Sequence, residues 1–233
     1  MLVGSTGWST GPHLHFEVRN TATEKVINPM IWGFTHQDNI APTIKSVAFY
    51  DEQSPYMQDP ITKIVTKQGA THYIQDNVIK LPISKLRIGY DAVDYMNGST
   101  NTLGIYQSKL YVDNELQLMI TMDTIDFSTN RAINAFADYK SDKLLNTWYV
   151  QFFKLKKNPL DLYTFKQQHK EYIDLSDGQP KAITMVLADF YGNESKLHFK
   201  VQYDAELIRV PFRYKDEVVF KADEINTYHS SAA

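Results

Sequence analysis

Two histidines near the start of the chain, His13 and His15, are separated by a single leucine. Apolar residues alternate with the polar ones here, which predicts a strand from His13 to Arg19. Because side chains two positions apart on a strand share a face, both imidazoles are expected to point the same way, with Leu14 and Phe16 facing a core. Two neighbouring imidazoles suit metal binding or proton transfer near neutral pH.

A glycine-rich segment leads into this strand. Gly4, Gly7 and Gly11 lie before His13, and glycine supplies the backbone conformations that tight turns need. The run Gly4 to Arg19, GSTGWSTGPHLHFEVR, resembles the C-terminal motif of the lysostaphin/LytM-type zinc metallopeptidases, bacterial enzymes that cut peptide crosslinks in peptidoglycan. The resemblance extends over residues 1–35.

The resemblance implies roles for both histidines. In that family, zinc is held by a His and an Asp of an upstream His-x-x-x-Asp element and by the second His of His-x-His. His15 would then be the zinc ligand, and His13 a catalytic imidazole that assists the metal-bound water. Three protein ligands leave zinc an open position, which activates water and polarises a carbonyl. Residues 1–12 contain no His or Asp, so we expect this chain alone to bind zinc weakly and to be inactive.

Two other histidines, His72 and His198, are further candidates for metal ligands. His72 and Asp76 have the His-x-x-x-Asp spacing, but they follow His-x-His and lack flanking glycines, so a surface turn is the favoured interpretation. His198 stands between Leu197 and Phe199, and alternation predicts that it faces outward while its neighbours face a core.

Composition excludes several classes of protein. The chain of 233 residues has a formal net charge of −3, without the basic excess of a nucleic-acid-binding protein. No stretch approaches the roughly 20 apolar residues of a transmembrane helix, and no signal peptide is recognisable. Cysteine is absent, so metal ligands must be His, Asp or Glu. The resemblance nonetheless implies a periplasmic or extracellular location in the cell envelope.

Short segments rich in β-formers, separated by turn signals, predict a mainly β fold. Asn97-Gly98 and Asp113-Asn114 mark hairpin turns, and Ser128 to Leu145 is expected to be partly helical. The predicted organisation is a remnant of the antiparallel peptidase sheet (1–35), a linker (36–42), an Ig-like β-sandwich extension with a short helical insertion (43–205), and terminal edge strands with a frayed tail (206–233).

Two segments of the extension share turn chemistry. Asp94 and Asp189 each end a predicted strand and precede aromatic residues and an Asn/Gly turn. We interpret them as two similar hairpins. Asp91 and Asp94 together suggest a weak cation site at most, and a solvated turn is the favoured alternative.

Two functions follow as hypotheses. The first is the C-terminal part of a cell-wall zinc metalloendopeptidase that acts on peptidoglycan peptides. The alternative is a non-catalytic β-sandwich binding or scaffold protein of the cell envelope, using some of its 15 Tyr and 12 Phe side chains. In either case, a truncated sheet would leave an open edge that can pair with a partner chain.

Overall fold

The structure is a computed structural model that describes residues 15–34, 37–54, 59–166 and 171–207. Within these residues the strands, in chain order, are β1 (Val18–Arg19), β2 (Val26–Ile27), β3 (Thr43–Asp51), β4 (Ile61–Ile64), β5 (Thr66–Gln68), β6 (Thr71–Tyr73), β7 (Ile79–Leu81), β8 (Lys85–Tyr95), β9 (Thr102–Leu103), β10 (Gln107–Val112), β11 (Glu115–Thr121), β12 (Thr124–Ile125), β13 (Val150–Gln151), β14 (Tyr163–Phe165), β15 (Ile173–Asp174), β16 (Lys181–Ala188) and β17 (Glu194–Tyr203). The helical elements are 3-10 segments over Pro29–Trp32 and Phe127–Ala135 and helix α1 (Tyr139–Leu145). The mainly β prediction is confirmed.

Two large sheets enclose one core. One sheet has the order β14-β11-β10-β16-β17-β6-β5, with β7 also paired to β17. The other has the order β13-β8-β3-β4, with β9 and β15 paired to β8. Phe49 of β3 and Phe199 of β17 meet across the interface, with ring centroids 6.0 Å apart. Both belong to a single cluster of buried apolar residues, as expected for a sandwich-like fold.

The predicted hairpin turns are confirmed. Asp113 and Asn114 join β10 to β11 with φ angles of 48° and 67°, the left-handed pair that a two-residue hairpin turn requires. Gly98 has a φ of 74° in the longer loop between β8 and β9. Gly192, with a φ of 86°, lies in the turn between β16 and β17.

The helical insertion is confirmed between β12 and β13. Its 3-10 segment is capped by Asp126, which accepts a hydrogen bond from the Ser128 main-chain N–H. Asp138 caps α1 by accepting from the Ser141 N–H, and its other oxygen accepts from the Tyr50 hydroxyl at 3.0 Å. This second bond ties the insertion to β3.

The N-terminal segment forms a small antiparallel sheet with the order β1-β2-β12. Ile27 pairs with Thr124, and Val26 pairs with Ile125, so a strand of the extension completes the sheet begun by residues 18–27. The guanidinium carbon of Arg19 lies 4.6 Å from the centroid of the Phe127 ring. One edge of the predicted peptidase remnant is therefore covered from within the same chain.

Two predictions about the first strand are corrected. Of the residues that are described, only Val18–Arg19 are in strand conformation, because the pairing with β2 reaches no further than Val18. Phe16 was expected to face a core, but it is 56% exposed and packs edge-on against Phe34 instead. Residues 1–14, including His13 and the glycine-rich turn, and residues 208–233 of the predicted tail lie outside the described residues.

Candidate functional site

His15 lies three residues before β1 begins and has a solvent-exposed side chain. Its Nε2 is 3.6 Å from Oε2 of Glu17, whose other oxygen lies 2.6 Å from an Nη2 of Arg19. Glu17 is therefore shared between an imidazole and a guanidinium. The position leaves His15 accessible to a metal ion, while Glu17 is already engaged by Arg19.

The zinc site implied by the resemblance is not complete among the residues that the structure describes. The only group of three acidic or histidine side chains there with metal-binding spacing is Asp38, Asp94 and Asp189, and His15 does not belong to it. A lone imidazole does not hold zinc tightly, because protein zinc sites use three or four protein ligands. The relation of His15 to His13 stays a prediction.

Several large apolar side chains of the N-terminal segment and of the helical insertion are exposed. Phe16, Trp32 and Phe34 are 56%, 63% and 57% exposed, and Ile31 and Phe127 are also exposed. Most of these residues lie on the N-terminal segment, near the small sheet. Of these rings, Phe16 and Phe34 pack edge-on against each other, with centroids 4.9 Å apart.

His72 and Asp76 do not form a ligand pair. His72 is buried on β6, where its Nε2 accepts a hydrogen bond from the Ile44 main-chain N–H at 3.3 Å. Burial, and secondarily the charge of Lys67, lowers the pKa of His72. Asp76 lies 2.7 Å from Nζ of Lys63. The expectation that His72 lies in a surface turn was therefore wrong, because it is a buried core residue. The expectation that His198 faces outward is confirmed, because its side chain is exposed.

Three aspartates converge beside the sandwich. Asp38 lies in segment 37–42, Asp94 near the end of β8, and Asp189 directly after β16. Each offers a carboxylate oxygen, and these oxygens all lie within 4.8 Å of one another. Asp91, which the sequence paired with Asp94, is not part of this group. The sequence singled out Asp94 and Asp189 as similar hairpin residues, but nothing in it indicated that they meet or that Asp38 joins them.

The electrostatics of this acidic cluster are unfavourable in the absence of a cation. Burial raises the pKa of Asp94 to about 6, with further upward contributions from the charges of Asp189 and Asp38. A hydrogen bond from the Tyr95 main-chain N–H acts in the opposite direction. Asp94 and Asp189 are only 3% and 5% exposed. Their carboxylates therefore have little water to screen their mutual repulsion.

A cavity of about 350 Å³ opens between the two large sheets, next to β8, β10 and β15. Arg87 is the most buried charge in its wall. Its Nε donates to the main-chain oxygen of Glu171 at 3.0 Å, and an Nη2 lies 3.1 Å from Oε2 of the same residue. The guanidinium also stacks over Phe153, 5.0 Å from the ring centroid. Arg87 is thus already neutralised and held in place.

Comparisons with family models and with curated proteins identify no relative of this chain. No family model matches the chain, and no curated protein matches it in sequence. Along the parts of the chain that the structure describes, no helix has the length and apolar character needed to cross a lipid bilayer.

Proposed function

We propose that this chain is the C-terminal part of a bacterial zinc metalloendopeptidase that acts on peptide crosslinks of peptidoglycan. Its N-terminal residues would contribute the His-x-His strand to the peptidase site, and its β-sandwich would be an extension of that domain. The observation that carries the proposal is the motif ending in His13, His15 and Arg19, where the glycines, Thr-Gly-Pro and both histidines fall in the family's register.

The surroundings of His15 support this proposal. Its side chain is exposed, and the exposed aromatic rings of Phe16, Trp32 and Phe34 belong to the same N-terminal segment. In a complete peptidase domain, further strands would cover these rings, and an upstream His and Asp would complete the zinc site. When bound, zinc would supply an activated water and a polarised carbonyl. The role of His15 would be to ligate it, and that of His13 to move protons at the bound water.

The alternative function is a non-catalytic binding module of the cell envelope. The cavity of about 350 Å³ favours it, since that volume lies within the range of small-ligand sites. The aromatic side chains give it less support than expected from the sequence. Phe49, Tyr50, Tyr90 and Phe153 are almost fully buried, so they stabilise the core and are not available to a glycan.

The proposal is tested by reading the coding sequence in frame upstream of Met1 and producing the extended chain. We expect a His-x-x-x-Asp element upstream, and zinc close to one equivalent in the extended chain. Substitution His15→Ala should remove that zinc, whereas the control His198→Ala, at another exposed histidine, should leave it. The extended chain should release peptides from purified peptidoglycan.

The 233-residue chain provides the complementary measurement. It should contain zinc well below one equivalent per chain, because one histidine ligand is insufficient. A stop codon directly upstream with no His-x-x-x-Asp element would contradict the proposal. Stoichiometric zinc in the 233-residue chain that is lost on His15→Ala would instead show that the chain carries a complete site of its own.

A further inference from the structure

The acidic cluster of Asp38, Asp94 and Asp189 is built from three separate parts of the chain. Two of its members are almost completely removed from solvent, and carboxylates are rarely buried unless they are paired or bind a cation. None of the three forms an ion pair with a lysine, arginine or histidine of the described ranges. The nearest charges that act on Asp94 are the two other carboxylates. The cluster therefore concentrates negative charge without a visible counter-charge.

A second observation indicates that this cluster binds a ligand. Oδ1 of Asp94 is fully buried and has no hydrogen-bond donor in the described structure. Leaving a buried polar atom unsatisfied costs about 1–3 kcal/mol, and more when the group is charged. Native proteins rarely retain such an atom without a bound ion or water to satisfy it.

We propose that Asp38, Asp94 and Asp189 bind one calcium ion. Ca²⁺ takes six to eight oxygen ligands at about 2.3–2.6 Å, so two oxygens on opposite sides of one ion are about 5 Å apart. The spacing of the three carboxylate oxygens, all within 4.8 Å of one another, satisfies this limit. Mg²⁺ usually keeps several of its own waters and is bound through one or two carboxylates, so a set of three carboxylates suits Ca²⁺ better. Main-chain oxygens and water would fill the remaining positions.

Neighbouring amides hold two of the carboxylates in place. Asp189 accepts from the main-chain N–H of Asn193 at 2.8 Å and from its side-chain amide at 2.6 Å. Asp38 accepts from the Asn97 N–H at 3.2 Å. Each carboxylate oxygen has more than one lone pair, so these bonds leave capacity for a metal. Little reorganisation is then needed when the ion binds, which favours affinity.

The location gives the ion a structural role. Asp38 belongs to the segment between the small N-terminal sheet and the sandwich, whereas Asp94 and Asp189 belong to the two sandwich sheets. Calcium would therefore fasten this segment to both hairpins. Asn193 already links this segment to the β16–β17 hairpin, because its side-chain amide donates to the main-chain oxygen of Asp38 at 3.3 Å. This inference does not depend on the proposed peptidase function.

Calcium titration of the 233-residue chain tests the site. The chain is first treated with a chelator and then titrated with CaCl₂, with heat release and thermal unfolding as readouts. We expect one ion to bind and the melting temperature to rise by about 5 °C at saturating calcium, by mass action on the folded state. Substitution Asp94→Asn should abolish both effects. The matched control Asp91→Asn, in the same strand but outside the cluster, should retain them.

A second variant keeps the test decisive if Asp94→Asn fails to fold. Asp38→Asn removes the least buried carboxylate and should weaken calcium binding at least tenfold. The proposal is overturned if calcium produces no binding heat and no stabilisation. It is equally overturned if NaCl of matched ionic strength gives the same shift, or if Asp94→Asn responds like the wild type.

Discussion

Carboxylate oxygens of Asp94 and Asp189 lie within 4.8 Å of each other, although the two residues come from different sheets. Asp94 lies on β8, which pairs with β3, whereas Asp189 lies in the β16–β17 hairpin. Asp94 is the penultimate residue of β8, and Asp189 directly follows β16. The turns that follow them contain Gly98 and Gly192, both in left-handed conformation. Because they are close, the charge of Asp189 on one sheet contributes to the raised pKa of Asp94 on the other.

Removal of the charge at Asp94 should stabilise the chelator-treated chain at neutral pH. The folded state raises the pKa of Asp94 to about 6, above its ordinary value near 4, so the ionised form is penalised above pH 6. This penalty disappears as the pH falls from 6 to 4. Asp94→Asn should therefore melt at a higher temperature than the wild type at pH 7.5, with the advantage lost at pH 4.5.

The control for this experiment is Asp161→Asn, at an exposed aspartate. Thermal unfolding without divalent cations should show no comparable pH-dependent difference for that variant. A constant difference between Asp94→Asn and wild type from pH 4.5 to 7.5 would contradict the raised pKa.

Protonation of His72 should destabilise the fold in mild acid. Burial lowers its pKa, so the unfolded chain binds a proton below pH 6.5 that the folded chain resists. The contribution of neutral His72 to the free energy of unfolding is fully present above pH 6.5. It declines as the pH falls through the lowered pKa. His72→Gln should cost about 0.5–1.5 kcal/mol at pH 7 if its contact with the Ile44 N–H is lost, and should flatten the acid decline.

Urea unfolding at pH 7, 6 and 5 measures this effect. His198→Gln, at an exposed position on β17, is the matched control and should keep the wild-type pH dependence. An unchanged acid decline in His72→Gln would show that another group is responsible.

Gly89 should not tolerate a side chain. A Cβ at this position of β8 would lie 3.1 Å from the Val150 main-chain oxygen and 3.2 Å from Cε2 of Tyr50. Overpacking of this kind costs about 1–3 kcal/mol, which lowers the melting temperature by several degrees in a chain of this size. Gly104→Ala meets no atom within 4 Å and should be close to neutral. Equal melting temperatures for both variants would be inconsistent with the close packing of β8 and β13.

Asn28 should anchor the junction between the N-terminal sheet and the sandwich. Its Oδ1 accepts from the Met30 N–H at 3.1 Å, and its Nδ2 lies 3.5 Å from the Met122 main-chain oxygen. Asn28→Ala should remove about 1 kcal/mol of local capping stability. Hydrogen exchange should accelerate in residues 26–34, with little change elsewhere. Asn39→Ala, at an exposed asparagine, is the control, and uniform acceleration across the chain would argue against a local anchor.

The sequence predicted those parts of the fold whose information is local. The turn at Asp113-Asn114 was recognisable because the residue types match the backbone conformation of a two-residue hairpin. Burial of His72 was missed because its own neighbours are polar. It is buried by a parallel pairing of β6 with β17, in which His72 lies opposite Leu197, and no local pattern encodes that contact.

The candidate sites, like the fold, were predictable only where the information is local in the sequence. The motif around His15 was visible as a run of residue types, and its assignment rests on resemblance. The acidic cluster could be predicted only in part, because Asp94 and Asp189 share turn chemistry but meet only when the two sheets pack. Asp38 gave no signal at all, since it lies in a polar segment without regular structure. Tertiary packing, not sequence spacing, brings it to the cluster.

The order of strands in the sandwich also constrains how the protein can assemble. The chain leaves the β3–β4 hairpin for β5, β6 and β7 of the opposite sheet, returns to β8, and continues to alternate up to β16. Neither sheet can be completed before the other, because each is made of segments that the other interrupts. Folding must therefore wait for contacts between distant parts of the chain, which is expected to be slow. For the same reason, the two halves of the sandwich should melt together as one cooperative unit.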